Sequence, residues 1–176
     1  MELKQILSQR RSTRKFTDRE VAPETIRRLL DATLSAPSSR NSRSTRIIVV
    51  ENRDTIAAMA QMRDYGSAFL KNAPLAFVIA GDTSATDLWR ENGAISATIL
   101  QLACVDEGLA SCWVQVDGRP RIQNEPEAAM ASDYLRTLLP MPQSWEPLCV
   151  IAAGYSDFRP ADLPPFDREA AVLSVK

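Results

Sequence analysis

Four short apolar runs, separated by segments of helical character, constrain the fold of this 176-residue chain more than any other feature. The runs are rich in β-branched or small apolar residues, as buried strands are, and lie at 47–51, 75–81, 109–116 and 148–154. Helical patterns fill most of the sequence around them, at 2–9, 23–35, 53–62, 66–72, about 85–107 and about 127–139. This alternation predicts a layered α/β or α+β arrangement in one domain spanning 1–176.

The rest of the chain is predicted to form loops and a tail. Residues 36–46, APSSRNSRSTR, lack periodicity and are rich in small polar residues, so they read as a loop. From about residue 155 the chain lacks periodicity, and we expect an extended tail. Its apolar side chains would be wasted in water, so they indicate a tail that wraps around the partner in a dimer; they are Phe158, Phe166, Val172 and Leu173.

The composition excludes several kinds of site. The chain has no histidine, which excludes Ser-His-Asp and Cys-His nucleophile systems and every histidine-ligated metal site. Neither GxGxxG nor GxxxxGK[ST] occurs, so Rossmann and P-loop phosphate sites are excluded too. Chemistry at neutral pH must come from other side chains or from a cofactor, and a cofactor is the leading hypothesis.

The cysteines and the N-terminus indicate a cytoplasmic protein. Cys104, Cys112 and Cys149 are widely spaced in apolar runs with no CxxC, which is typical of reduced, buried thiols. No apolar run approaches the length of a membrane span, and the first residues lack the hydrophobic segment of a signal peptide.

Positive charge is concentrated in the first quarter of the chain. Residues 1–46 contain 11 Lys/Arg and 5 Asp/Glu, whereas the remainder contains 10 and 17. Within the segment QRRSTRKF, 9–16, arginines and hydroxyls stand together in a pattern that suits a phosphate. The alternative is a solvated helix end whose carbonyls are capped by basic residues. A nucleic-acid-binding module is disfavoured, because the chain carries a net charge of −1 and lacks interleaved aromatics.

Three further features have two readings each. The short polar residues of the 36–46 loop have two interpretations, as turn formers or as polar contacts to the edge of a heterocycle; they are Ser38, Ser39 and Asn41. Trp113 belongs to the core or forms a stacking platform. Glu91 is interpreted as a cap, an ion-pair residue or a residue at the edge of the core, in preference to a general base.

Five segments in order resemble the nitroreductase family of flavin enzymes, over about residues 3–170. They are RRSTR, APSSRN before IIVV, NAPLAFVIAGD, ENGAISATILQLACVDEGLASCW and PLCVIAAGY. The resemblance, to a short member, implies an α+β, three-layer sandwich with a central, mostly antiparallel sheet. It also implies an intertwined homodimer with FMN at the subunit interface.

The resemblance further implies a set of FMN-binding residues. Arg10, Arg11, Ser12 and Arg14 would hold the phosphate and ribityl chain. The backbone at Gln115 and Val116 would approach the isoalloxazine ring near its redox edge. Arg168, or Arg159 as a fallback, would add a second arginine to the phosphate. The loop residues that would contact the FMN bound mainly by the other subunit are Pro37, Ser38, Ser39 and Asn41.

The chain departs from the family pattern in three places. Arg43, Ser44 and Thr45 stand where the family commonly has Gln, Pro and Trp, and Glu91 stands where it often has Asp. Gln115 and Val116 replace a frequent Gly or Glu-Gly and are expected to narrow the space over the ring. We hypothesise that Arg43 supplies positive charge to the reduced flavin.

These implications define an expected activity. The protein is expected to be an FMN-dependent NAD(P)H oxidoreductase that passes hydride through flavin N5 to a nitroaromatic, a quinone or a related small electrophile, by ping-pong turnover. No side-chain catalytic residue and no metal are expected, since the flavin carries the difficult step. The alternative is a flavin-binding or partner-binding protein of the same fold with little turnover.

Overall fold

The centre of the molecule is a four-stranded antiparallel sheet. The computed structural model describes residues 1–125, 127, 129–161, 164 and 166–175. Its strands are β1 (Thr45–Val50), β2 (Leu75–Asp82), β3 (Ala110–Gln115) and β4 (Trp145–Gly154). They are arranged in the order β1-β2-β4-β3, and each neighbouring pair is antiparallel. All four predicted strands are confirmed, and β1 and β3 are the two edges of this sheet.

Helices surround the sheet and follow the predicted order. They are α1 (Leu3–Gln9), α2 (Pro23–Leu34), α3 (Arg53–Met59), α4 (Trp89–Asp106), α5 (Ala131–Leu138) and α6 (Arg168–Ala171). Three short 3₁₀ helices occupy Ser39–Asn41, Ala60–Met62 and Ala68–Asn72.

Two apolar cores, one on each face of the sheet, make the fold a three-layer sandwich. Phe77 and Ile151 point to one face, where they pack with Leu29 of α2 and Leu100 of α4. The next residues along the same strands point the other way, because side chains of a strand alternate. On that face a second core joins strand residues to α3 and α5 through Val78, Val150, Ile56 and Leu135. The α+β three-layer expectation is therefore confirmed.

Two predicted elements begin at different residues for local reasons. Helix α4 starts at Trp89 and not near 85, because side-chain oxygens of Asp82 and Thr86 accept the amides of Ser84 and Leu88 and shape a turn. Strand β4 begins at Trp145, and includes Pro147 at the point where its register with β2 shifts. An irregular position of this kind tolerates a residue without an N–H.

The tail combines extended backbone with the short helix α6, which the sequence did not predict. Its apolar side chains are exposed: Phe166 is 85% exposed and Leu173 is 92% exposed. Residues 162, 163 and 165 lie outside the described part of the tail. Wrapping of the tail around a partner remains a prediction.

Candidate functional site

The basic N-terminal segment lies along the outer edge of β3. The amide of Thr13 donates to the carbonyl of Ser111 at 3.0 Å, and Ser12 and Ser111 form a parallel bridge. The two bridged residues are far apart in the sequence, so no local sequence pattern could have predicted their pairing. It brings the predicted anion-binding cluster to the beginning of the strand whose other end is Gln115.

The cluster is divided between two faces. Arg11 and Thr13 line a cavity that Arg10, Ser12 and Arg14 do not line; these three lie near Cys112 instead. Burial raises the pKa of the Cys112 thiol, and the nearby Arg14, Ser12 and Arg10 oppose the rise. In the described part of the chain, the guanidinium groups of Arg10 and Arg14 form no ion pair or hydrogen bond. Arg14 lies over the ring of Phe69, at 5.7 Å. These cations are therefore available to an anion.

The Arg11 side chain hydrogen-bonds to carbonyls at the end of α1, as expected for a basic residue that caps a helix. Its Nη1 donates to the carbonyls of Ser8, at 2.6 Å, and Arg10, at 2.9 Å, while its Nε is buried without a hydrogen-bond partner. Basic side chains commonly satisfy the free carbonyls at a helix C-terminus in this way.

A cavity of about 500 Å³ lies behind the cluster, between the end of α1, the α4–β3 junction and the start of the tail. Arg11, Thr13, Ser111 and Arg159 are among its lining residues. The hydroxyl of Ser111 is buried and has no hydrogen-bond partner among the residues that the structure describes. Arg159 therefore lies near Arg11 and Thr13, which share this cavity, whereas Arg168 lies in exposed α6 and does not line it.

At the other end of β3, the side chains of Gln115 and Val116 are committed to the fold. Gln115 accepts the indole N–H of Trp113 at 2.9 Å and donates to the carbonyl of Asp117 at 3.1 Å. Val116 is fully buried beneath α5. Trp113 is half-buried and packs against the core that contains α2 and α4, so of its two interpretations the structure favours that of a core residue. Because the Val116 side chain is buried in the core, its position gives no support to the expectation that it narrows the space over the flavin ring.

The backbone of Gln115 faces outward from the sheet. Its carbonyl accepts from Arg63 Nη1 at 3.3 Å, on the side away from β4. In an antiparallel strand the N–H and C=O of one residue point the same way, so the amide of Gln115 also points outward. An edge strand presents such groups to whatever binds beside it.

Arg63 is a candidate site residue that the sequence analysis missed. Its Nε is buried without a hydrogen-bond partner in the described part of the chain. Burial lowers the pKa of its guanidinium, and the positive charge of Arg119 lowers it further. It lies between two helical segments in the sequence, and nothing local distinguishes it from a surface arginine.

The loop before β1 has a strained backbone that α4 holds in place. Arg40, Asn41 and Arg43 have φ values of 51°, 53° and 47°, in the left-handed region that few residues other than glycine adopt. The amide of Arg43 donates to Ser38 Oγ at 2.9 Å. Buried Asn92 of α4 accepts the amide of Ser39 at 2.9 Å. Its own amide nitrogen donates to two further loop hydroxyls, those of Ser42 and Ser44.

Asn92 was also missed from the sequence. The available signal was an amide side chain in a helix that is otherwise apolar and buried on most sides. Its neighbour Glu91 is exposed in the first turn of α4, where a carboxylate is favourable, but the N-cap is Leu88 and Glu91 forms no capping hydrogen bond in the described structure.

The two parts of the predicted site lie at opposite edges of the sheet. The loop residues precede β1, whereas the basic segment and Gln115 flank β3. Three strand spacings separate these edges, about 14 Å. One chain therefore does not bring Pro37, Ser38, Ser39, Asn41 and Arg43 together with the basic segment.

Other kinds of chemistry find little support in this structure. Burial raises the pKa of Cys104 to about 12 and that of Cys149 well above its ordinary value, so neither thiol is poised as a nucleophile. Within the described ranges, no group of acidic or cysteine side chains is arranged to hold a metal ion. None of the described helices is long and apolar enough to cross a membrane.

Comparison with known proteins identifies the family. A sequence model described as the nitroreductase family matches residues 7–64. A protein of Methanothermobacter thermautotrophicus, provisionally named NADH dehydrogenase/NAD(P)H nitroreductase, is 31% identical over 170 residues, which cover 95% of this chain and 84% of the relative.

Solved structures agree with this similarity. An FMN-dependent nitroreductase from Clostridium difficile R20291 shares 37% identity, with a TM-score of 0.84 over 94% of this chain and 92% of that one. A nitroreductase-fold protein of Desulfovibrio desulfuricans, solved in complex with FMN, has a TM-score of 0.78 over 100% and 98% of the two chains. At 21% identity that structure supports the fold alone. The chain belongs to the nitroreductase family.

Proposed function

We propose that this protein is an FMN-dependent NAD(P)H oxidoreductase that reduces a nitroaromatic, a quinone or a related small electrophile by ping-pong turnover. When bound, FMN would supply the redox chemistry, accepting hydride at N5 from the nicotinamide and passing it to the acceptor. The observation that carries the proposal is the open outer edge of β3, which has unneutralised arginines at one end and the outward backbone of Gln115 at the other.

The residues at the beginning of β3 fit a phosphate. Arg10 and Arg14 lack acidic partners in the described structure, and Ser12 lies between them on the same face. Guanidinium groups bind phosphate oxygens through paired, charge-assisted hydrogen bonds. Of the two tail arginines, Arg159 is the nearer to this segment, because it lines the cavity on the side of Arg11 and Thr13.

The residues at the end of β3 fit the polar rim of a flavin. The outward amide of Gln115 is a donor, and Arg63 places positive charge on the adjacent carbonyl. Positive charge at this position would favour the anionic reduced cofactor. Hydride transfer requires no side-chain general base, which agrees with a chain that has no histidine.

The site is proposed to be complete only in a homodimer. A second copy would bring its loop, with Ser39, Asn41 and Arg43, to the β3 edge of the first. The strained loop and the exposed tail are both suited to contacts with another chain. A cytoplasmic location is proposed from the three free, buried cysteines.

The test is an absorption spectrum of the purified protein, with the released chromophore identified after denaturation. We expect flavin bands and about one FMN per chain, followed by NAD(P)H oxidation with menadione as acceptor. A colourless protein that does not bind added FMN would overturn the proposal. Full FMN occupancy without NAD(P)H oxidation would favour the alternative of a binding protein with little turnover.

A further inference from the structure

A second basic cavity lies beside Gln115. It has a volume of about 420 Å³ and is lined by Gln61, Arg63, Asp64, Arg121, Ile122 and Ala129. It is separate from the cavity behind the N-terminal cluster, with which it shares no lining residue. None of the phosphate-binding residues proposed above lines it.

Two guanidinium groups in this cavity have donors to spare. Arg63 makes a single hydrogen bond, to the carbonyl of Gln115 at 3.3 Å, and Arg121 makes a single one, to the carbonyl of Gln61 at 3.3 Å. The Nε atoms of both arginines are buried without a partner. A guanidinium carries five N–H donors, so each side chain leaves several unused within the described structure.

The acidic residue of the cavity, Asp64, forms no ion pair with either arginine among the described residues, although its charge raises the pKa of Arg63 and so opposes the effect of burial. Both carboxylate oxygens of Asp64 accept the amide of Gln123, at 3.1 and 3.2 Å. The amide of Asp64 donates to the carbonyl of Arg121 at 2.8 Å, which ties the two loops together. Among the residues that the structure describes, no ion pair involves either arginine.

The guanidinium group of Arg121 is held in position by contacts within the protein, without a ligand. Arg121 lies over the ring of Tyr134 at 4.1 Å, and the Tyr134 hydroxyl donates to the carbonyl of Ala58. Arg119 adds a third positive charge close enough to act on Arg63. Pre-placed guanidinium groups of this kind match the planar, two-oxygen geometry of a carboxylate.

We propose that this cavity binds the carboxylate of a small aromatic electron acceptor, so that anionic acceptors are preferred over neutral ones. The inference rests on the proposed function and names its substrate class. Arg63 contacts the carbonyl of Gln115 directly, so an anion held here lies within one small molecule's length of the proposed redox edge. Because the anion would lie so close to the proposed redox edge, the cavity suits the carboxylate of a short aromatic acid better than the phosphates of a dinucleotide, which are far from its nicotinamide ring.

The first test measures binding without turnover. Calorimetry with benzoate and its neutral isostere benzamide is performed on the protein as purified, in wild type, Arg63→Gln, Arg121→Gln and Arg27→Gln. Arg27, exposed on α2, is the matched control. We expect wild type and Arg27→Gln to prefer benzoate, and each cavity variant to lose about tenfold in benzoate affinity with benzamide unchanged. Equal affinity for the two compounds, or variants that behave as wild type, would overturn the inference.

The second test compares kcat/KM for 4-nitrobenzoate and 4-nitrobenzamide in the same variants. Wild type is expected to favour the acid, and Arg63→Gln and Arg121→Gln to reduce that preference about tenfold each. A variant that loses preference for NADPH over NADH but keeps its preference for the acid would overturn the inference in favour of a donor-phosphate site. A shifted flavin potential in Arg63→Gln with selectivity intact would assign Arg63 to the cofactor and overturn it as well.

The two proposals fail in different ways. A wild-type protein that reduces menadione but does not discriminate benzoate from benzamide retains the proposed function and loses this inference. A protein that binds benzoate through Arg63 and Arg121 but oxidises no NAD(P)H with any acceptor retains the anion site and loses the proposed oxidoreductase activity, and with it the assignment of the anion as a substrate group.

Discussion

At the residue scale, Asn92 shows how one buried side chain can fix the shape of the loop before β1. It is 2% exposed and has hydrogen bonds to Ser39, Ser42 and Ser44. Its carbonyl oxygen and amide nitrogen act on a loop whose backbone is left-handed at three positions. Strained backbone persists only where the surroundings hold it, and Asn92 provides that support.

Asn92→Ala is therefore expected to reduce the free energy of unfolding by about 2–3 kcal/mol, because it leaves the Ser39 amide without its partner. It should also weaken FMN binding, since the loop loses its fixed geometry. Urea denaturation and a fluorescence titration with FMN measure the two effects. Glu91→Gln, one residue away and exposed, is the control: it should leave FMN affinity unchanged and cost less than about 1 kcal/mol, the usual contribution of a carboxylate in the first turn of a helix. An unchanged FMN affinity in a destabilised Asn92→Ala would separate the loop from the cofactor site.

Arg43 carries the second residue-scale prediction. Its side chain is exposed and its only hydrogen bond in the described structure is a long one, to Asn41 at 3.4 Å. If the partner's loop approaches the flavin, Arg43→Gln should lower the midpoint potential by about 20 mV, because about 1 kcal/mol of favourable charge interaction with the reduced form is lost. Spectroelectrochemistry measures the potential. Arg40→Gln in the same loop is the control, and an equal shift in both variants would contradict a specific role for Arg43.

The residues that sequence reasoning found and missed differ in a physical way. The arginines of RRSTR could be proposed from the sequence because charge and hydroxyls are clustered in a local segment. Arg63 and Asn92 were missed because each acts on a partner far away in sequence, Gln115 and Ser39. Only the fold creates those pairs.

At the element scale, the periodic patterns predicted most of the fold. Strand interiors were found because β2 and β4 are buried on both faces and read as continuous apolar runs. Segment ends were less predictable, because they depend on side-chain contacts such as those of Asp82 and Thr86 before α4. The order of the strands in the sheet could not be predicted either, because it depends on contacts between segments far apart in the sequence.

The contact between α2 and α4 gives a prediction at this scale. Arg28 donates to both carboxylate oxygens of Glu107, at 2.8 and 2.7 Å, and this hydrogen bonding lowers the pKa of Glu107 below its ordinary 4.5. A lowered pKa means that the pair stabilises the folded state above about pH 4.5 and that this contribution is lost as the pH falls through the folded pKa.

Glu107→Gln should accordingly lower the melting temperature at pH 7 by about 1–2 °C, a small effect because the pair is exposed to solvent. The difference from wild type should shrink between pH 4.5 and pH 3 as the wild-type carboxylate becomes protonated. Calorimetric scans across this range measure it. Asp31→Asn, an exposed carboxylate on α2, is the control. A difference that is constant down to pH 3 would mean that the carboxylate charge is not the cause.

At the scale of the whole molecule, the sheet order has a consequence for assembly. The loop before β1 and the basic segment beside β3 lie at opposite edges, with about 14 Å of sheet between the edges. A site that used both would be completed by a second chain, each chain giving one half. The sequence resemblance implies such an arrangement, and the strand order is the observation on which the proposal of a shared site rests.

The exposed tail is the segment best suited to hold two chains together, and it carries the last prediction. Phe166 and Leu173 are almost fully exposed in the single chain, and burial of such side chains against a partner contributes about 1.5 kcal/mol or more each. Replacing both by serine should raise the dimer dissociation constant about 100-fold.

Analytical ultracentrifugation measures that constant, and Phe166→Leu with Leu173→Met is the control that keeps both positions apolar. FMN occupancy should fall together with dimerisation in the serine variant, because separated chains no longer combine the β1-edge loop with the β3 edge. A serine variant that is monomeric yet retains FMN at full occupancy would show that one chain binds the cofactor alone. A variant that remains dimeric would place the interface elsewhere, on surfaces other than the tail.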